Sequence, residues 1–204
     1  MKTKVKICGI RTLEHAEVAI SAGVDFLGFN FVPTSKRYVM PEKAKEIINQ
    51  LQMANYELRN KIVGVFQNQS ADEVNNIAEL VGLDFVQLHG GENDEYMQKI
   101  KTKIIKMIAG RGNPCGYPYN KTKYFLLDRL VQGEGEMVDF EKAKDIAKQF
   151  PLFFAGGLTC ENVASIISII RPFAVDVAGG IETNGLIDNE KIKQFIQNAK
   201  GVEL

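Results

Sequence analysis

Seven polar or reactive side chains stand in, or at the end of, short apolar runs: Lys6, Cys8, Asn30, Gln87, His89, Asp128 and Asp176. Between them they carry a thiol, two carboxyls, an imidazole and an ammonium. Those are the groups that general acid–base chemistry draws on once their surroundings have tuned them. Each also has a plain structural use. A cysteine closing a strand is usually a small core hydrophobe, an aspartate before a loop commonly accepts turn hydrogen bonds, and a histidine can be a hydrogen-bonded wall residue. His89 is also a candidate base, since its intrinsic pKa lies near neutrality. What favours chemistry over structure is that all seven would have to converge.

Convergence depends on the elements that carry them. Strand-like runs fall at 4–7, 26–31, 61–66, 85–88, 104–108, 124–128, 152–154 and 174–177, and helical patterns fall near 13–22, 42–52, 71–81, 93–101, 140–149, 161–170 and 189–199. Ser70 with Glu73 forms a capping box, Pro41 suits a first turn, and Asp139 and Asp188 suit N-caps. The stretch 110–122 is rich in Gly, Pro and Asn and has room for at most a short, degenerate fifth helix. Strict β/α alternation implies a parallel sheet with helices outside, and eight such units close into a (β/α)8 TIM barrel. The expectation is a small α/β barrel with short loops that occupies 1–204 as one domain.

Residues i and i+2 share a face of a strand. Val5 and Ile7, Phe29 and Phe31, Val86 and Leu88, and Val175 and Val177 form the set that packs against helices. The alternate set, which includes Lys6, Cys8, Asn30, Gln87, His89 and Asp176, then points into the barrel, with Asp128 in phase with Leu126. Barrel chemistry sits at the C-terminal strand ends. A structural protein gains little by burying so many polar groups at that end. Two Gly-Gly turns follow the last two strands, Ala155-Gly156-Gly157-Leu158 and Ala178-Gly179-Gly180-Ile181. Glycines let backbone N–H groups approach an anion, and a helix start adds partial positive charge, so a phosphorylated small molecule is the expected ligand.

Composition narrows the class. The 204 residues carry 25 basic and 25 acidic side chains and are 45% hydrophobic, values typical of a globular domain. Zero net charge argues against a nucleic-acid binder, and no apolar run approaches the ~20 residues of a membrane span. The first residues enter a strand-like run without the apolar stretch of a signal peptide, and three cysteines without metal spacing suit reduced thiols. A cytoplasmic protein without metal is expected.

In chain order the residues resemble the phosphoribosylanthranilate isomerase family of tryptophan biosynthesis. The resemblance lies in Lys6-Ile-Cys-Gly-Ile10, Gly28-Phe-Asn-Phe31 leading to Ser35-Lys-Arg-Tyr-Val39, Val63-Gly-Val-Phe66 and Val86-Gln-Leu-His-Gly90. It continues in Leu127-Asp128, Phe154-Ala-Gly-Gly-Leu158 with Glu161-Asn-Val163, and Val175-Asp-Val177 through Gly180-Ile-Glu182. It implies an Amadori rearrangement of N-(5-phosphoribosyl)anthranilate without metal or organic cofactor. By the same resemblance Asp128 is the acid, Cys8 the base, and Arg37 the group that holds the anthranilate carboxylate. Gly156, Gly157, Gly179 and Gly180 would hold the phosphate, with Lys6, Gln87, His89 and Asp176 around the substrate. Those roles need a partly ionised thiol, to which the charge of Lys6 would contribute, and an Asp128 carboxyl raised by burial and by the bound phosphate. The family includes monomers and dimers, so a homodimer is compatible with the sequence.

Three positions depart from the family pattern. Glu134, in Gln132-Gly-Glu-Gly135 ahead of Val138-Asp-Phe140, puts a negative charge where a hydroxyl is usual. Ala178 removes a hydroxyl from the second glycine turn, and Lys36 replaces a common proline. These changes keep two alternatives open: another phosphosugar isomerase or epimerase, and a non-catalytic barrel that binds a phosphorylated ligand.

Overall fold

The computed structural model describes residues 2–54, 61–109, 122–128 and 139–203. Eight parallel strands pair in sequence order and close on themselves: β1 (Lys4–Cys8), β2 (Phe26–Asn30), β3 (Lys61–Phe66), β4 (Phe85–Leu88), β5 (Lys103–Ala109), β6 (Thr122–Asp128), β7 (Leu152–Phe154) and β8 (Ala174–Val177). Among the described residues seven α-helices surround them: α1 (Leu13–Ser21), α2 (Pro41–Met53), α3 (Ala71–Val81), α4 (Asp94–Lys99), α5 (Phe140–Gln149), α6 (Val163–Ile170) and α7 (Asn189–Lys200). A closed parallel sheet has no unpaired edge.

The helix starts follow the expected chemistry. Ser70 accepts a hydrogen bond from the Glu73 amide, Asp139 from Glu141 and Lys142, Asp188 from Glu190 and Lys191, and Pro41 opens α2. Helix α6 begins two residues later than its apolar pattern. The Asn162 side chain instead accepts from the Thr159 amide and donates to the Gly157 carbonyl, which braces the turn after β7. After β8 the chain forms a 3-10 turn (Gly179–Ile181) and a two-stranded hairpin of β9 (Glu182–Thr183) and β10 (Leu186–Ile187) before α7. The segments at 110–121 and 129–138, with the degenerate fifth helix and Glu134, lie outside the described residues.

Two apolar layers divide the strands by phase. Val5, Ile7, Leu27, Phe29, Val86, Leu88, Val175 and Val177 pack outward in the core shared with the helices. Phe26, Val63, Phe85, Ile105, Leu126, Phe153 and Ala174 fill the barrel. Its lower end is an aromatic plug: Phe26 and Phe153 meet edge to face at 5.0 Å, and Tyr124 stacks on Phe173 at 4.8 Å. The polar residues of the same inward phase therefore lie above an apolar floor.

Candidate active site

The β1 register sets the centre of the site. Lys6 lies opposite Phe26 on one side and Asp176 on the other, one inward step below Cys8, which pairs with Gly28. The lysine side chain rises past Gly28 to place Nζ 2.8 Å from Asp176 Oδ2, and the ammonium is wholly buried. Gly28 makes the room. A Cβ at that position would sit 3.1 Å from Cys8 Sγ, from Cys8 Cα and from Lys6 Cε at once, so the thiol and the lysine converge on the space that glycine leaves.

Burial and charge act on these groups in opposed directions. Desolvation pulls the Lys6 ammonium down, but Asp176 and Cys8 more than reverse this and hold it above its ordinary value. Burial pushes Asp176 up, and Lys6 only partly offsets that because the charge of Asp128 also works against ionisation. One oxygen of Asp176, Oδ1, is buried without a hydrogen-bond partner, consistent with a carboxyl that ionises reluctantly. Burial is also the largest influence on Cys8 and raises its thiol. Lys6 and Arg37 pull it down and Asp176 pushes it up, so the field of Lys6 has the expected sign but is outweighed by burial.

A second chain of contacts crosses the mouth from β4 to β6. Gln87 Nε2 lies 3.2 Å from His89 Nδ1, and His89 Nε2 lies 3.5 Å from Asp128 Oδ2. Gln87 is buried, whereas His89 and Asp128 are partly open to solvent. Asn30 is spent locally, its Oδ1 accepting from the Val32 amide at the start of the β2–α2 loop. Cys8, Asp128, Asp176, Lys6, Gln87 and His89 thus gather at one end of the barrel.

Arg37 reaches this end from the β2–α2 loop. Ser35 Oγ accepts from its backbone amide at 3.1 Å, and its Nε donates to Glu182 Oε1 at 2.6 Å. Its stem passes Gly9, where a Cβ would meet Arg37 Cδ at 2.8 Å, and its guanidinium ends beside Gly179, where a Cβ would sit 3.3 Å from NH2. The two glycine turns also touch. Gly156 and Gly157 adopt φ of 86° and 73°, which side chains rarely tolerate, and Gly180 approaches so closely that a Cβ would run into the Leu158 carbonyl. The second turn leads into a 3-10 turn rather than directly into an α-helix, and Ala178 makes no side-chain cap there.

Two further pairs were not anticipated as site features. Glu182 carries both Arg37 and Lys36. Lys106 points outward from β5 and is buried against Glu92 at 2.7 Å, with Glu92 also accepting the Asn68 and Gly90 amides. A lysine in an otherwise apolar outward phase was the available signal for that pair, since a buried ammonium needs a partner. Glu92 thereby joins the loops after β3 and β4, and Lys106 anchors it to β5. Among the described residues, no cluster of three or more His, Cys, Asp or Glu is placed to hold a metal ion, and no helix is long and apolar enough to cross a membrane.

A sequence model of the N-(5'-phosphoribosyl)anthranilate (PRA) isomerase family matches residues 5–198. The chain belongs to the PRA isomerase family. A Geobacter relative named N-(5'-phosphoribosyl)anthranilate isomerase is 40% identical, with 97% of this chain and 98% of the relative covered. The fold is also similar to the crystal structure of phosphoribosyl anthranilate isomerase from Thermotoga maritima, with a TM-score of 0.86, 38% identity, and 98% and 100% of the two chains covered. A family structure in complex with reduced 1-(o-carboxyphenylamino)-1-deoxyribulose 5-phosphate superposes with a TM-score of 0.83 at 37% identity, covering 98% of this chain and 100% of its own. Seen within the PRA isomerase family, the gathered residues are those of the Lys6-Ile-Cys8 and Gln87-Leu-His89 segments, Asp128 and Asp176.

Proposed function

We propose that this chain catalyses the Amadori rearrangement of N-(5-phosphoribosyl)anthranilate to 1-(2-carboxyphenylamino)-1-deoxyribulose 5-phosphate. Family membership over nearly the whole chain supports the reaction. The observation that carries it to these residues is the placement of Cys8 and Asp128 at one barrel mouth, both coupled electrostatically to the buried Asp176.

In this reading Asp128 gives a proton to the furanose ring oxygen. The anthranilate nitrogen pushes its lone pair toward C1, the C1–O bond breaks, and an open-chain Schiff base forms. Cys8 then removes the proton from C2, and the electron pair of that C–H bond becomes the C1–C2 double bond of an enolamine. Protonation at C1 with loss of the O2 proton gives the ketone. The base must act as thiolate. Burial disfavours that form, and the Lys6 ammonium supports it. Gln87, through its contact with Nδ1, orients His89, and His89 orients the Asp128 carboxyl. Backbone amides of Gly156, Gly157, Gly179 and Gly180 receive the phosphate, and Arg37 receives the anthranilate carboxylate.

A soluble phosphorylated substrate suits a cytoplasmic enzyme, and a homodimer is the proposed assembly, since a Thermotoga maritima relative is dimeric. Turnover of phosphoribosylanthranilate, made in situ from anthranilate and followed by loss of its fluorescence, tests the reaction. Purified protein that leaves the signal unchanged would reject it. Light scattering tests the dimer.

A further inference from the structure

Resting on the isomerase reading above, we propose that Glu182 is a positioning residue for Arg37, and that Lys36 keeps the resulting cluster cationic toward the substrate carboxylate. Glu182 lies just beyond the 3-10 turn after β8. Its backbone is fixed by pairing with Ile187 in the hairpin and by Lys191 of α7, whose Nζ donates to the Glu182 carbonyl at 3.0 Å. Its carboxylate receives Arg37 Nε at 2.6 Å on Oε1 and Lys36 Nζ at 2.8 Å on Oε2. Glu182 is nearly covered, with its side chain 8% exposed, and Arg37 is 14% exposed.

The geometry selects which edge of the guanidinium is used. Arginine presents its donors in a rigid plane, so a carboxylate on Nε fixes the plane and leaves the NH1/NH2 edge for another anion. Gly9 confines the stem, and NH2 ends at Gly179. Glu182 therefore orients the arginine without consuming the edge that pairs best with a second carboxylate.

Charge explains the lysine. One carboxylate beside one guanidinium would leave a neutral pair, a poor host for an anion. Lys36 restores a single net positive charge to the cluster. Burial alone would raise Glu182, but hydrogen bonds from Arg37 and Lys36 hold it below the ordinary glutamate range, so it stays ionised at neutral pH. Lys36 is 62% exposed, so its contribution is screened by salt.

The test is calorimetric binding of two probes, the product 1-(2-carboxyphenylamino)-1-deoxyribulose 5-phosphate and its analogue lacking the carboxyl group, alongside turnover. For Glu182→Gln, lost orientation of Arg37 is expected to outweigh the added positive charge, so affinity for the carboxylated product should fall about 10-fold at high salt, where that charge is screened, while affinity for the analogue changes little. KM should rise more than kcat falls. Glu182→Asp should recover part of the preference. Lys36→Gln should weaken the product about 2- to 5-fold at low salt and leave it unchanged at high salt, where screening removes the contribution. An equal loss for both probes would make Glu182 a brace of the phosphate turn and overturn the proposal. Unchanged affinity for both would overturn it also. Because binding is read without turnover, a wild type that prefers the carboxylated probe but does not convert substrate would reject the isomerase reading and leave the positioning role standing.

Discussion

Gly28→Ala tests the packing that brings the thiol and the lysine together. The backbone at residue 28 is not in the left-handed region, so alanine adopts it without strain, and loss of unfolded-state freedom alone would add about 0.4–1 kcal/mol of stability. The new methyl, however, would stand 3.1 Å from Cys8 Sγ, Cys8 Cα and Lys6 Cε, closer than ordinary contact on three sides. One of the three is backbone of the neighbouring strand, which cannot yield without opening the β1–β2 pairing. The thiol and the lysine must give by a few tenths of an ångström. Overpacking of this kind costs about 1–3 kcal/mol, enough to outweigh the entropic gain at most of that range. For a chain of this length each kcal/mol moves Tm by about 2–4 °C. The kinetic effect should be larger than the thermal one. Misplacing a reacting group by ~1 Å can cost ~100-fold, so a few tenths should lower kcat by about 10-fold. KM should change less than about 3-fold, because the three atoms nearest this methyl belong to Cys8 and Lys6 rather than to Arg37 or the glycine turns. Steady-state fluorescence kinetics and a thermal melt supply both quantities. A kcat within a factor of about 2 of wild type, with Tm unchanged, would mean that the thiol is not held in the space beside Gly28.

Burial raises Cys8, so in a Cys115→Ser, Cys160→Ser background its alkylation by iodoacetamide should rise with pH about a midpoint above the ~8.5 of a free thiol. A midpoint at or below that value would contradict the burial. Glu92 should contribute to acid sensitivity. Burial would raise it, but the Asn68 amide and Lys106 hold it below the ordinary range, so its stabilisation is present above the usual glutamate value and disappears as pH falls through the folded one. Glu92→Gln should therefore lose about 3 kcal/mol in urea melts at pH 7, by removing the carboxylate that balances the buried Lys106 ammonium, which keeps the Gly90 carbonyl, with the gap narrowing below about pH 4. An equal gap at both pH values would refute that assignment. Gly180→Ala should raise KM by at least about 10-fold by driving the two glycine turns apart, whereas an unchanged KM would show that the turns need not touch.

The barrel and most of its mouth were legible because both depend on short-range periodicity. Alternation along β1, β4 and β8 fixes which way Lys6, Gln87 and Asp176 point, and the capping residues Ser70, Asp139 and Asp188 mark helix starts from neighbours three residues away. Glu182 was not legible as a positioning residue, since its partner Arg37 is 145 residues distant and only the closed sheet brings them together. The same holds for Lys6 and Asp176, at a separation of 170 residues. Their phases could be read, but not the ion pair that joins them. The hairpin β9–β10 is too short to carry a periodic signal, and it moves α7 away from the glycine turn that was expected to lead into a helix. The net direction of the Cys8 thiol also escaped the sequence. It depends on how desolvation compares with the charges of Lys6 and Asp176, and only coordinates give the burial that decides it.

The central claim is that Cys8 and Asp128 are the base and the acid of one reaction. The most direct measurement is turnover of phosphoribosylanthranilate by wild type, Cys8→Ala and Asp128→Asn, with product affinity determined for each. Turnover by the wild type alone, with product affinity kept within a few-fold in both variants, is the expected result. Turnover that survives Cys8→Ala would contradict the claim and move proton abstraction to another group, with His89, 3.5 Å from Asp128, the first to examine.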